Sequence, residues 1–267
     1  MRDFNGRCVV ITGAAGGLGA ALVQVFRTAG AHVVALDRDA ASLRTHPALQ
    51  GVLALECDIT DPVACNNAIQ EAIRVYGGVD VLINNAGIAH RSAFADTQLH
   101  VIRRVMDVNF FGAVHCTQAA LPTLRQRAGL IITISSVAGF APLIGRTGYA
   151  ASKHALHGFF DSLRTEVQDD GVGVLIVCPS FIDTGIDKAA LGADGQPASR
   201  ARATTGGQTQ PVHVAQAILA AARINKKLLL FSTTAKAAWW LSKLWPAGYA
   251  STMKRRLQAE IFPSQQQ

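Results

Sequence analysis

Long apolar runs are missing from this 267-residue chain: none approaches the roughly 20 residues that a bilayer-spanning helix needs. Residues 1–10 also lack the basic, apolar and small-residue order of a secretory signal, so a cytoplasmic location is expected. Cysteine is scarce and unpaired, with five residues (Cys8, Cys57, Cys65, Cys116, Cys178) and no CxxC spacing. That argues against a disulfide framework and offers no zinc site. Cys8 and Cys178 lie inside apolar runs and read as small buried hydrophobes. Charge is low at 16% against 49% hydrophobic residues, which excludes a disordered chain. Acidic residues are absent from 223 to 256, where eight basic ones fall. The net charge of +7 therefore belongs to that segment, because the rest of the chain holds 17 basic and 18 acidic residues. No nucleic-acid reading module accompanies the basic run, so no nucleic-acid partner is expected.

Linkers and internal repeats are absent too, and what fills the chain is an alternation of two patterns. Short β-branched runs (RCVVIT, AHVVALD, GVLALECD, VDVLINN, LIITISS, VGVLIVCP, KLLLFS) are separated by longer stretches of helical periodicity. Continuous rather than alternating apolar runs indicate strands buried on both faces. The pattern predicts an α/β, doubly wound Rossmann fold: a seven-stranded, mostly parallel sheet with helices on both faces, as a single domain over residues 1–267.

TGAAGGLG, residues 12–19, follows the first strand and opens a helix. Gly13, Gly17 and Gly19, with Leu18 between the last two, permit a tight turn that brings backbone N–H groups to a pyrophosphate at the helix N-terminus. Asp37 ends the second strand 18 residues beyond Gly19. A carboxylate there accepts hydrogen bonds from adenosine ribose hydroxyls and repels a 2′-phosphate, which favours NAD over NADP, although Arg38 next door offers a guanidinium to that phosphate. Asp58, beside Ile59 at the end of the third strand, is a candidate partner for the adenine amino group, with a strand-end cap as its ordinary reading.

Tyr149 and Lys153 lie four residues apart on a predicted helix and share one face. A phenol beside an ammonium has its anionic form favoured. Ser136, thirteen residues before Tyr149, offers a hydroxyl to the oxygen that gains or loses the proton, which makes a carbonyl/alcohol site.

Together these segments, with NNAG at residues 84–87, Asn109 in DVNFFG and Ser136 in ISSVAG, resemble the short-chain dehydrogenases/reductases over about residues 7–224. The resemblance implies that Tyr149 is the general acid/base, Ser136 orients the substrate oxygen, and Lys153 lowers the tyrosine pKa and holds the nicotinamide ribose. It implies that Asn109 positions a water linking the lysine to solvent. Asn84, Asn85, Ala86 and Gly87 would shape the cofactor floor and the central strand, while Ile182 and Thr184 would contact the nicotinamide carboxamide and the phosphate. Ser135 is a neighbour of Ser136, but alternate side chains of a strand face opposite ways, and the spacing selects Ser136. One departure is Ser180 where the family has glycine, which narrows the backbone freedom there.

The segments ALHGFFDSLRTEV and PSFIDT resemble the branch containing hydroxysteroid dehydrogenases. Phe94, Phe140, Leu143, Phe181, Ile186 and Leu191 are expected to border an apolar alcohol or ketone. Residues 180–210 form a long Gly/Ala/Ser/Thr/Gln-rich stretch after a strand and are expected to act as a substrate lid. The segment 233–267 carries all three tryptophans; packing over the crevice is preferred to docking at a membrane interface. The resemblance implies a homodimer or homotetramer built on the helices 104–127 and 149–167. A non-catalytic, dinucleotide-binding regulatory or scaffold protein is the alternative, though such a protein has no need of Ser136, Tyr149 and Lys153 together.

Overall fold

The computed structural model describes residues 1–186, 189–198 and 209–261, with side chains as far as Arg256. The seven β-branched runs form strands β1 (Cys8–Thr12), β2 (His32–Asp37), β3 (Leu53–Glu56), β4 (Val81–Asn84), β5 (Leu130–Ile134), β6 (Gly173–Cys178) and β7 (Leu228–Leu230). They make one sheet in the order β3-β2-β1-β4-β5-β6-β7. Every neighbouring pair is parallel, so the expected mostly parallel sheet is parallel throughout the described residues.

Helices α1 (Gly17–Thr28), α2 (Ala40–Thr45), α3 (Pro62–Tyr76), α4 (Leu99–Met106), α5 (Gly112–Gln126), α6 (Thr147–Glu166) and α7 (Pro211–Arg223) connect the strands. Strand alternation divides the core between two faces. Val9 and Ile11 of β1 pack with Leu22 and Phe26 of α1 and Ile218 of α7, whereas Cys8 and Val10 pack with Ile69 of α3, Leu124 of α5 and Phe160 of α6. β1, β4 and β5 are buried along their whole length, which is why they read as unbroken apolar runs. Each large side chain fully buried this way contributes about 1.5–3 kcal/mol. All five cysteines are free and buried.

Two helical expectations shift. The Tyr149 helix starts at Thr147, and the stretch 104–127 is two helices joined by a π-helical turn, Asp107–Phe111, with Asn109 buried inside it. A π turn widens the helix by one residue and is a common way to aim a side chain inward. The described residues end in a hairpin of α8 (Thr233–Leu244) and α9 (Pro246–Ile261). Ser232 caps α8 by accepting from Ala235 N, and Pro246, which lacks an N–H, follows the helix end.

The strand order reverses between β1 and β4, and a crevice opens there beyond the carboxyl ends of the strands.

Candidate functional site

The crevice is a cleft of about 730 Å³, running from the turn after β1 to the α8–α9 hairpin. At its β1 end Gly13 sits at φ +63°, and a Cβ on it would come within 2.8 Å of Ala86 Cα; a Cβ on Gly19 would run into Gly13 O. These two glycines let the turn close against β4 and against its own helix. α1 therefore begins without a side-chain cap and without an acidic residue in its first turn, and Gly17, Leu18 and Gly19 open its N-terminus to the cleft. Uncapped N–H groups at a helix N-terminus suit a phosphate.

Thr12 organises the floor. Its Oγ1 accepts from Asn85 N and Ala86 N at 3.0 Å each, while Asn85 Nδ2 donates to Thr12 O at 2.9 Å and Gly13 O at 3.1 Å. Asn85, Ala86 and Gly87 line the cleft. Asn84 does not: its Nδ2 donates to Thr117 Oγ1 of α5 at 3.0 Å, so it anchors β4 from the opposite face, as alternation along a strand requires.

At the β2 end Asp37 is held rigidly. One carboxylate oxygen accepts from Ala15 N at 3.0 Å and the other from Asp39 N at 3.1 Å. Asp58 accepts from Thr60 N at 2.9 Å and Thr60 Oγ1 at 2.8 Å, and the backbone hydrogen bond is the main reason its carboxyl lies below its usual pKa. It thus caps the chain after β3, yet with Ile59 it also lines the cleft.

Ser136, Tyr149 and Lys153 all line the middle of the cleft. Ser136 Oγ accepts from Ala138 N at 3.1 Å, which leaves its own hydrogen for another partner. Ser135 also borders the cleft, but its hydroxyl is turned to α6, where it donates to Lys153 O at 3.2 Å. The Lys153 Nζ donates to Ile134 O at 2.9 Å and lies 5.7 Å from the centroid of the Tyr149 ring. Burial pulls the Lys153 ammonium down to about 8. Behind it, burial pushes the Cys178 thiol up to about 12 and the His157 ring, 3.4 Å from Cys178 Sγ, down to about 4.

Asn109 is brought beside this group but not into the cleft. Its Oδ1 accepts from Ile88 N at 2.8 Å, and its Nδ2 donates to Ile88 O at 3.0 Å and to Ser152 Oγ at 2.9 Å. The amide expected to hold a water is hydrogen-bonded to protein groups through both its oxygen and its nitrogen, because the π turn places it between the β4 loop and α6.

After β6, Ile182 and Thr184 line the cleft, and Thr184 Cα packs against Gly17. Ser180 has an ordinary negative φ and its hydroxyl meets Ser232 Oγ at 3.0 Å, so the turn does not need glycine.

The family model for short chain dehydrogenases matches residues 7–193. A dehydrogenase/reductase SDR family member 7B from Bos taurus is 40% identical over 265 residues, 94% of this chain and 82% of that protein. An SDR family protein 7-like from Anopheles gambiae is 37% identical over 271 residues, 96% of this chain and 84% of that one. The chain belongs to the short-chain dehydrogenase/reductase family. Solved structures agree on the fold of this oxidoreductase family. A Burkholderia phymatum member crystallised with NAD superposes with TM-score 0.81 at 24% identity, covering 91% of this chain and 95% of that chain. A short-chain dehydrogenase from Streptomyces avermitilis gives 0.75 at 26% identity over 95% and 96%.

In this short-chain dehydrogenase/reductase only part of the expected apolar border falls on the cleft. Leu143, Phe181 and Ile186 line the cleft. Phe94 is 67% exposed on a surface turn, Leu191 is buried against Val101 and Val105, and Phe140 packs on Trp239 with ring centroids 4.9 Å apart. Phe140 thereby docks α8 and does not line the cleft. Trp245, Tyr249 and Met253 of the C-terminal segment complete the wall, with Arg256 at its edge. Sequence reasoning flagged that segment by its tryptophans but had no signal for which residues turn inward. Of the expected lid 180–210, most of residues 180–186 and Ala189 border the cleft; residues 187–188 and 199–208 lie outside the described residues.

Proposed function

We propose that this chain is an NAD(H)-dependent oxidoreductase that interconverts a lipophilic secondary alcohol and its ketone. The observation that carries the reading is the meeting of Ser136, Tyr149 and Lys153 in one cleft whose far end is the uncapped N-terminus of α1.

The residues present fit a dinucleotide. The α1 N-terminus and the Gly13 turn would hold the pyrophosphate, the fixed Asp37 carboxylate the adenosine ribose, Lys153 the nicotinamide ribose, and Ile182 and Thr184 the carboxamide and phosphate. A carboxylate locked by two backbone N–H groups cannot swing away from a 2′-phosphate, which supports NAD over NADP. The NAD found with the Burkholderia phymatum relative is in keeping with this choice. When bound, the nicotinamide supplies or takes up the hydride.

The chain's own residues supply the proton and the oxygen site. Ser136, with its oxygen already accepting from Ala138 N, donates its hydrogen to the substrate oxygen. Tyr149 gives a proton to that oxygen in reduction and takes it in oxidation. The Lys153 ammonium stabilises the negative charge that the phenol carries once the proton has left. Both hydrogen bonds strengthen as charge develops on the oxygen. Asn109 is a positioning residue that ties Ile88 to Ser152 and so fixes α6 relative to the floor.

The wall formed by Leu143, Phe181, Ile186, Tyr249 and Met253 supports an apolar substrate over a sugar or acid.

The test is turnover on a panel of lipophilic secondary alcohols with NAD, and ketones with NADH, followed by nicotinamide absorbance. Tyr149→Phe is expected to lower kcat by about 10²–10⁴-fold while NADH binding persists. Wild-type protein that binds NADH and turns over nothing would move the reading to a dinucleotide-binding regulatory protein.

A further inference from the structure

α8 is apolar on two faces, and among the described residues only one of them is covered. Ala238 packs with Ala141 and Phe140, Trp239 is seated on the Phe140 ring, and Ala235 and Ser242 on the same side are buried and half-buried. Two positions along, Ala237, Trp240, Leu241 and Leu244 repeat the same i, i+3, i+4, i+7 spacing about 200° round the helix. Trp240, Leu241 and Leu244 are 61%, 47% and 77% exposed, and Trp245, just past the helix end, is 64% exposed. A contiguous patch of this kind is unusual on a surface that meets only water.

Charge says what it faces. Exposed Lys236 borders the patch one helical position to its side, Lys243 lies at the same border with its Nζ 4.2 Å from the Trp239 ring centroid, and exposed Lys254 and Arg255 follow on α9. No acidic residue occurs anywhere from 223 to 256. Tryptophan and leucine flanked by lysine suit the headgroup layer of an anionic bilayer, where the rings enter the interface and the long cationic chains reach the phosphates. No described helix is long and apolar enough to cross a membrane, so the contact would be superficial.

We propose that the outer face of the α8–α9 hairpin docks on an anionic lipid surface. Leu241 and Trp245 belong both to the exposed patch and to the wall of the cleft, so docking turns the mouth of the cleft toward the lipid. The inner face of the hairpin packs on the protein as its sequence suggested; the outer face carries the second role. The docking itself stands on the patch and its charge and not on the reaction proposed above.

The test is sedimentation of the full chain with vesicles of phosphatidylcholine alone or mixed with phosphatidylglycerol, at low and high salt. The expected result is binding to the mixed vesicles, weakened by salt and absent with phosphatidylcholine alone. The double variant Trp240→Ser/Leu244→Ser, at positions outside the cleft wall, is expected to lower the partition coefficient by at least about ten-fold with an unchanged melting midpoint. Failure of the wild type to bind the mixed vesicles overturns the proposal, as does a variant that binds like the wild type. A wild-type dimer that the same variant converts to monomer, seen by sedimentation velocity, assigns the patch to a second copy of the chain and also overturns it.

Discussion

Lys153 donates its Nζ to the carbonyl of Ile134 across 2.9 Å, so the last residue of β5 holds the lysine of α6 in place, two residues ahead of Ser136. One hydrogen bond thereby sets the distance between the strand that delivers the serine and the helix that delivers the tyrosine. The same contact leaves the ammonium buried, and burial is what brings its pKa down to about 8.

This gives a pH signature. Lys153 carries its charge below about 8 and loses it as pH rises through that value. Affinity for NADH, from fluorescence titration, should fall across that range by about ten-fold. Lys153→Met should bind NADH weakly at neutral pH and show no such step; an unchanged step in the variant would assign it to another group.

Asn109→Ala strips three hydrogen bonds: the Ile88 N–H and the Ile88 carbonyl lose their Asn109 partner, while the Ser152 hydroxyl loses a donor but keeps its bond to Tyr149 O. The expected cost is roughly 2–4 kcal/mol in urea unfolding. Because α6 loses its tie to the floor, kcat should fall more than KM rises. A variant as stable and active as wild type would remove the positioning role.

Asp37→Ala frees Ala15 N and Asp39 N and removes the negative charge facing the ribose. The ratio of kcat/KM for NAD over NADP should drop by about ten-fold or more, with Arg38 then available to a 2′-phosphate. A wild-type enzyme preferring NADP would refute the cofactor assignment directly.

His157 supplies an acid-side effect on stability. Burial lowers its pKa from the usual 6.5 to about 4. The unfolded chain binds a proton at this ring below about 6.5 while the folded one refuses it, so stability is full above 6.5 and is lost as pH falls toward 4. Between pH 6.5 and 5 the loss should reach about 2 kcal/mol. His157→Gln should flatten that slope in urea melts; an identical slope would exclude His157 as its source.

The sheet was legible because buried parallel strands leave continuous apolar runs, and β1 to β7 all fall on them. Gly13, Gly19, Asp37 and the pairing of Tyr149 with Lys153 were legible for a related reason: a tight turn, a strand end and one helix face are local arrangements that spacing alone expresses. The direction of a side chain that leaves local structure is not expressed that way. Phe140 and Phe94 sit in segments near the site, yet one is taken up by Trp239 and the other faces solvent. Asn84 and Asn85 are adjacent in sequence and face opposite sides of β4.

By itself the sequence determined the order of strands and helices, the glycine turn, and the residue types able to move a proton and receive a dinucleotide. Only the tertiary structure decided that the Asn109 amide is spent on Ile88 and Ser152, that Thr12 clamps the floor, and that Tyr249 and Met253 close the cleft from more than 100 residues beyond Ser136. The physical reason is the range of the interactions. Strand burial and helix faces follow from neighbours a few positions away, whereas these contacts join segments that meet only once the sheet has brought them together.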